Sequence, residues 1–211
     1  STPHVFVAVY SWEDGSFSEL PSITLDIGKQ DRSLRCNNFS MLDHDADGDQ
    51  ELVLSLGSPY RGFAILDLDS QGRLVIIKKI RPDEMLVGSG LLYSAVVDYD
   101  NDGYEDLLAI SPEGNTIKAQ PFYNIGGIFD SGPLIRKNFE GISGILHNSF
   151  QLTDWDADGF KDVLAPFRSG DIIALTLTPA TLVIERVPVQ PGPLTQIEIA
   201  DFNQDNYKDL L

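Results

Sequence analysis

One nine-residue pattern, D-x-[DN]-x-D-[GN]-x-x-[DE], occurs four times in this chain and constrains its fold more than any other feature. The copies run from Asp43 to Glu51, from Asp98 to Asp106, from Asp154 to Asp162 and from Asp201 to Asp209. Each follows a short apolar run and precedes another. Oxygen side chains at positions 1, 3, 5 and 9, with a turn at position 6 and a free backbone carbonyl at position 7, converge on a point and form a cage for a hard cation. Ca²⁺ suits such a cage best, and up to four ions are expected.

The expected ligands in the first copy are Asp43, Asp45, Asp47 and Glu51, with the carbonyl of Asp49. In the second they are Asp98, Asp100, Asp102 and Asp106 with Tyr104, and in the third Asp154, Asp156, Asp158 and Asp162 with Phe160. The fourth supplies Asp201, Asn203, Asp205 and Asp209 with Tyr207. Carboxylates about 4 Å apart repel by roughly 4 kcal/mol per pair at an effective dielectric near 20, so a compact loop needs its cation. Gly48, Gly103 and Gly159 suit the sharp turn because they accept positive φ, and Asn206 is the next most tolerant choice. With Asn203 replacing a third aspartate, the fourth site is expected to be the weakest.

An EF-hand loop opens in the same way but ends on a bidentate Glu at position 12. That position holds Leu54, Ala109 and Ala165 here. Short β-compatible runs such as Leu52-Val53-Leu54 and Leu107-Leu108-Ala109-Ile110 leave the loops, which predicts strands rather than helices.

The net charge of −17 follows largely from these loops, since 15 of the 32 acids occupy ligand positions. Four Ca²⁺ ions would bring it to −9. The 15 basic residues are scattered, which argues against a nucleic-acid partner. No apolar run approaches the length of a membrane-spanning helix, so membrane insertion is not expected. The chain opens at Ser1 with no signal-like segment, as expected of a processed or excised product. A single cysteine, Cys36, excludes an internal disulfide framework and is expected to be a small buried apolar residue. Loops of this kind generally need the millimolar calcium found outside cells, which points to an extracellular, secreted or cell-surface protein.

The intervening segments have a common plan. Val5 to Trp12 and Phe17 to Leu25 predict a hairpin about Asp14-Gly15. Phe39 to Leu42, Leu52 to Leu56, Phe63 to Leu68 and Leu74 to Ile80 predict four strands, with the first aspartate loop between the first two. The plan repeats in Ser94 to Val97, Leu107 to Ile110, Thr116 to Tyr123 and Ile128 to Ile135. It repeats again in Phe150 to Thr153, Val163 to Ala165, Ile172 to Leu177 and Thr181 to Val187. The loops are 55, 56 and 47 residues apart. A period near fifty with four short strands and no helical pattern predicts an all-β chain of four-stranded antiparallel propeller blades. The domain is expected to be single, over 1–211, with blades at 37–81, 92–136 and 148–188. Segments 1–30 and 195–211 would each supply two strands of a closing blade.

The four loops, together with Gly57-Ser58-Pro59, Ser111-Pro112 and Ala165-Pro166 placed after the second strand, resemble the FG-GAP and VCBS repeat family of calcium-loop propellers, integrin α-like. The resemblance covers essentially the whole chain. It implies either four blades closed by the terminal strands or part of a larger, for example seven-bladed, propeller, with self-association if the ring is incomplete. It also implies that the ions are scaffold and that a protein or glycan partner binds the face opposite them. An ion that touches ligand directly, as in lectins, is the alternative role. The other readings are a non-binding structural domain of a larger secreted enzyme or toxin, and a carbohydrate-active enzyme.

No catalytic constellation is expected. The histidines are His4, His44 and His147 alone, and Gly-x-Ser-x-Gly is absent. Aromatics at position 2 (Tyr99, Trp155, Phe202) and position 7 (Tyr104, Phe160, Tyr207) are expected to pack between blades. Pro59-Tyr60-Arg61, Pro82 to Gly90 and Pro166-Phe167-Arg168-Ser169 are expected to be recognition loops. The Asn38-Phe39-Ser40 sequon is expected to be buried in an inner strand and unmodified.

Overall fold

The structure is a computed structural model. It describes residues 4–7, 10–19, 23–26, 36–57, 60–82, 86, 91–146, 149–178, 181–189, 192–194, 196–204 and 208–211. Among these residues every regular element is a β-strand, and no helix is long and apolar enough to cross a membrane. The expectation of an all-β chain built from four-stranded antiparallel sheets holds, with the fourth position of one sheet divided between two short strands.

A hairpin comes first. β1 (His4–Val7) and β2 (Tyr10–Glu13) run out, and β3 (Ser16–Glu19) and β4 (Ile23–Asp26) return to pair with β2 and β1 respectively. Sheet I follows as β5 (Cys36–Leu42), β6 (Glu51–Leu56), β7 (Gly62–Leu68) and β8 (Leu74–Ile80), each pairing with the next. Sheet II orders β9 (Tyr93–Val97), β10 (Asp106–Glu113) and β11 (Thr116–Asn124), with β12 (Phe129–Ser131) and β13 (Ile135–Asn138) both on β11. Sheet III is β14 (Gln151–Thr153), β15 (Asp162–Pro166), β16 (Ile172–Thr178) and β17 (Thr181–Val187). β18 (Ile199–Ala200) and β19 (Asp209–Leu210) form a last pair. An aspartate loop joins the first strand of each sheet to the second.

Alternation along the central strands explains how the sheets stack. Successive side chains on a strand point to opposite faces. Leu107 and Ala109 of β10 therefore join Leu42, Val53, Phe63 and Ile65 of sheet I. Leu108 and Ile110 join Val163, Ala165, Ile173 and Leu175 of sheet III. The far face of sheet I (Leu54, Leu56, Ala64, Leu66) packs on Val7 of β1, and that of sheet III (Leu164, Ala174) packs on Ile197, Ile199 and Leu210. Both faces of β6, β10 and β15 are thus covered, which is why their sequences read as continuous apolar runs. Phe63 and Phe122 cross the first interface edge to face, with centroids 6.2 Å apart.

Three local expectations are corrected. The single strand expected over Ile128 to Ile135 is two, β12 and β13, separated by Gly132-Pro133-Leu134. A Cβ on Gly132 would lie 2.7 Å from the Pro121 ring, and Pro133 has no N–H to donate. Ser111-Pro112 and Ala165-Pro166 do not follow the second strands but lie inside β10 and β15. β9 pairs with β10 only as far as Ile110, and β14 with β15 only as far as Leu164. Pro112 therefore sits where its strand has a paired neighbour on one side alone, while Pro166 ends β15 and takes the Leu146 N–H on its carbonyl, a contact that needs no N–H of its own. Cys36 is exposed, not buried, because it opens edge strand β5 just before a register shift at Cys36/Asn38.

Candidate metal centre

The aspartate loops repeat one backbone conformation. Position 6 has positive φ at Gly48 (94°), Gly103 (95°) and Gly159 (93°), as the turn requires. Position 4 is also left-handed, at Ala46 (60°), Asn101 (56°), Ala157 (62°) and Gln204 (63°). Sequence reasoning missed that second turn, since alanine and glutamine give no sign of it.

Side chains hold these turns by the same bonds in each copy. The position 6 glycine N–H donates to the position 1 carboxylate in the first three loops, at 3.1 to 3.2 Å. The position 7 N–H donates to the position 5 carboxylate, from Asp49 to Asp47, Tyr104 to Asp102 and Phe160 to Asp158. The position 9 acid accepts the position 2 N–H in all four: His44 to Glu51, Tyr99 to Asp106, Trp155 to Asp162 and Phe202 to Asp209, at 2.8 to 2.9 Å. Asp106 and Asp162 are buried and take a second N–H each, from Asn124 and Leu177. In sheets II and III position 9 therefore locks the loop to the third strand.

The geometry suits a hard cation. Asp98, Asp100 and Asp106 bring ligand oxygens within 4.8 Å of one another, as do Asp154, Asp156 and Asp162. One oxygen of Asp43 and one of Asp98 are buried with no hydrogen-bond partner. A lone pair buried without a donor is costly, and a cation at these oxygens would satisfy it. Burial pushes the Asp106 carboxyl up to about 6, against the N–H bonds from Asn124 and Tyr99 and with help from the Asp100 and Asp102 charges. Burial likewise raises Asp162, Glu51 and Asp100. All four shifts disfavour the charged form that a bound cation would stabilise.

The first loop departs from this arrangement. Its triad is Asp43, Asp45 and Asp47, while Glu51 turns to His44, whose Nδ1 lies 3.1 Å away, and can converge with His44 and Asp45 instead. In the fourth loop, Asp201, Asn203 and Asp209 are described, while Asp205 and Tyr207 lie outside the described residues, as do His147 and most of the 82–90 segment.

Several side chains expected at the surface are interior. Tyr60 and Phe167 of the expected recognition segments are buried, Tyr60 beneath the Arg81 guanidinium and Phe167 within the core shared by sheets II and III. Aromatic size wins over display at both places. The position 2 aromatics divide: Tyr99 is buried in that same core, Trp155 packs on Leu164, and Phe202 is 50% exposed. Asn38 is buried as expected. Its amide donates to the Ser94 carbonyl and accepts the Ser94 N–H, at 2.9 and 3.0 Å, tying sheet I to sheet II. Among the exposed apolar side chains, Phe39, Met41 and Leu152 of the first strands lie beside an open groove of about 540 Å³ that reaches Gln50 and Glu105. Neither protein-family models nor curated proteins give a match to this chain.

Proposed function

We propose that this chain is a calcium-stabilised β-propeller of the FG-GAP and VCBS type, acting outside the cell as a recognition or adhesion module for a protein or glycan. The carrying observation is the repeated loop. Three copies bring carboxylates together in one hydrogen-bonded frame, with buried oxygens in two of them that no donor reaches. Sheets stacked face to face in chain order, each linked to the next by apolar side chains, are the local arrangement a propeller requires. The ions act as scaffold, drawing the first and second strands of each sheet together. The partner is held on the face opposite the metals. The groove beside Phe39, Met41 and Leu152 gives further recognition surface, since apolar side chains exposed together on a folded domain mark binding areas.

Thermal unfolding with calcium and with EDTA tests the first half of this reading. Ligand at a hundred times its Kd stabilises by about 2.7 kcal/mol per site, so EDTA is expected to lower Tm by many degrees. An unchanged Tm would reduce the loops to acidic turns. A glycan array and a pull-down on calcium-loaded protein test the second half. Silence in both would leave a scaffold domain with no ligand of its own.

A further inference from the structure

The first two aspartate loops touch across the interface between sheets I and II, and the contact runs through residues that the metal pattern does not include. Asn124, 1% exposed at the end of β11, is its centre. Its backbone N–H donates to Asp106 at 2.7 Å, and Asp106 closes the second loop. Its side-chain amide donates to the carbonyl of His44 in the first loop at 2.7 Å and to the carbonyl of Glu105 in the second at 3.1 Å. Its side-chain oxygen accepts the Gly127 N–H. Glu105, the neighbour of Asp106, accepts the N–H of Asp43 at 2.8 Å, and Asp43 opens the first loop. A ligand of each loop is thus one hydrogen bond from the bridge.

We infer that metal binding at the first and second loops is positively cooperative, with Asn124 and Glu105 as positioning residues that couple them. This rests on the reading of both loops as cation sites. Without a cation a loop is loosened by repulsion among its carboxylates, and ordering it costs conformational entropy. An ion in the second loop fixes Asp106 and Glu105, and so holds Asp43 and His44 where the first ion needs them. The second binding event then starts from a loop already partly ordered. Asp43 and Asp98, which carry the buried unpartnered oxygens, belong to these two loops. The third loop is a built-in control: at the place of Asn124 the strand offers Leu177, whose N–H reaches Asp162 but whose side chain has no amide with which to bridge. Direct repulsion between the acidic loops works with the coupling in the same sense when one ion neutralises its own loop, but it is screened beyond roughly 10 Å at 0.1 M salt. Cooperativity that persists at high salt therefore reports the bridge.

Sensitised terbium luminescence separates the third loop, which holds Trp155, from the second, which holds Tyr99 and Tyr104, and with the first loop disabled the tyrosine-sensitised titration midpoint reports the second alone. A Tyr207→Phe, Trp155→Phe background isolates the second loop, and the parent chain reports the third through Trp155. Asp45→Ala disables the first loop without touching a bridging residue. It is expected to weaken terbium at the second loop by about tenfold, within the usual range of coupling between sites, and to leave the third unchanged. Adding Asn124→Ala is expected to abolish the difference. Should Asn124→Ala fail to fold, Asp45→Ala alone decides, and its Trp155 signal shows that the fold is intact. Normal terbium binding at the second loop after Asp45→Ala would overturn the coupling and leave the metal reading standing. No sensitised emission from the parent protein at any loop would overturn both.

Discussion

At the scale of single residues, the acid at position 9 does a different job from the acids before it. Asp106 accepts two backbone N–H groups in the interior, whereas Asp102 is exposed and accepts one within its own turn. Leaving buried donors without an acceptor costs about 1 to 3 kcal/mol each. Asp106→Ala is therefore expected to destabilise the chelated protein by about 2 to 4 kcal/mol, and Asp102→Ala by less than about 1. In calcium both substitutions are expected to be costly, and urea unfolding with and without EDTA separates the two cases. The Asp106 carboxyl also sets a pH dependence. Its folded value of about 6 lies above its ordinary 3.8, so the folded chain holds this proton more tightly than the unfolded one. That stabilisation is complete below about pH 4 and is lost as pH rises through about 6. In EDTA, the unfolding midpoint is expected to fall between pH 4.5 and 7. Excess calcium is expected to remove the fall, because the ion takes the ionised carboxylate. Equal midpoints in EDTA would show that Asp106 is not held in a site that disfavours its charge.

Among the elements, the loop is the part whose backbone is under most constraint. Gly159 has φ 93° with nothing within 4 Å of an added Cβ, so a side chain there meets backbone strain and no clash. Gly159→Ala is expected to cost about 1 to 3 kcal/mol. Ala157 at φ 62° is left-handed without being glycine, and Ala157→Asn is expected to be neutral or stabilising, because asparagine tolerates that region best among side chains. Urea midpoints of the two variants check both. The turn at position 6 was legible from its glycines. The one at position 4 was not, because a residue that is simply forced into a left-handed conformation leaves no trace in its type. Most strand positions were legible from apolar runs, with ends that differ by up to about three residues in the structure, longer at β5 and β10 and shorter at β14 and β18. The break at Gly132-Pro133 was also written in the chain, in residues that spoil a ladder.

For the whole molecule, the links between sheets matter most. Leu107 and Leu108 differ by one position and serve opposite interfaces, so stacking follows from the two-residue period of a strand. Asn38 adds a polar clamp, and Asn38→Ala would leave the Ser94 N–H and carbonyl unpaired between sheets I and II. A loss of about 2 to 4 kcal/mol in urea unfolding is expected, and a neutral variant would mean that apolar packing alone holds that interface. Repeated aspartates at fixed spacing and short apolar runs were enough, by themselves, to determine an all-β chain of four-stranded sheets with an acidic loop after each first strand. Those are local properties, set by side-chain alternation and by which residues can turn. Tertiary structure alone decided that Tyr60 and Phe167 are core, that Cys36 is exposed, and that Asn124 joins two loops by meeting His44, 80 residues away in the chain. Each of these depends on what lies across an interface, and residues that meet only after the sheets stack carry no common pattern along the chain.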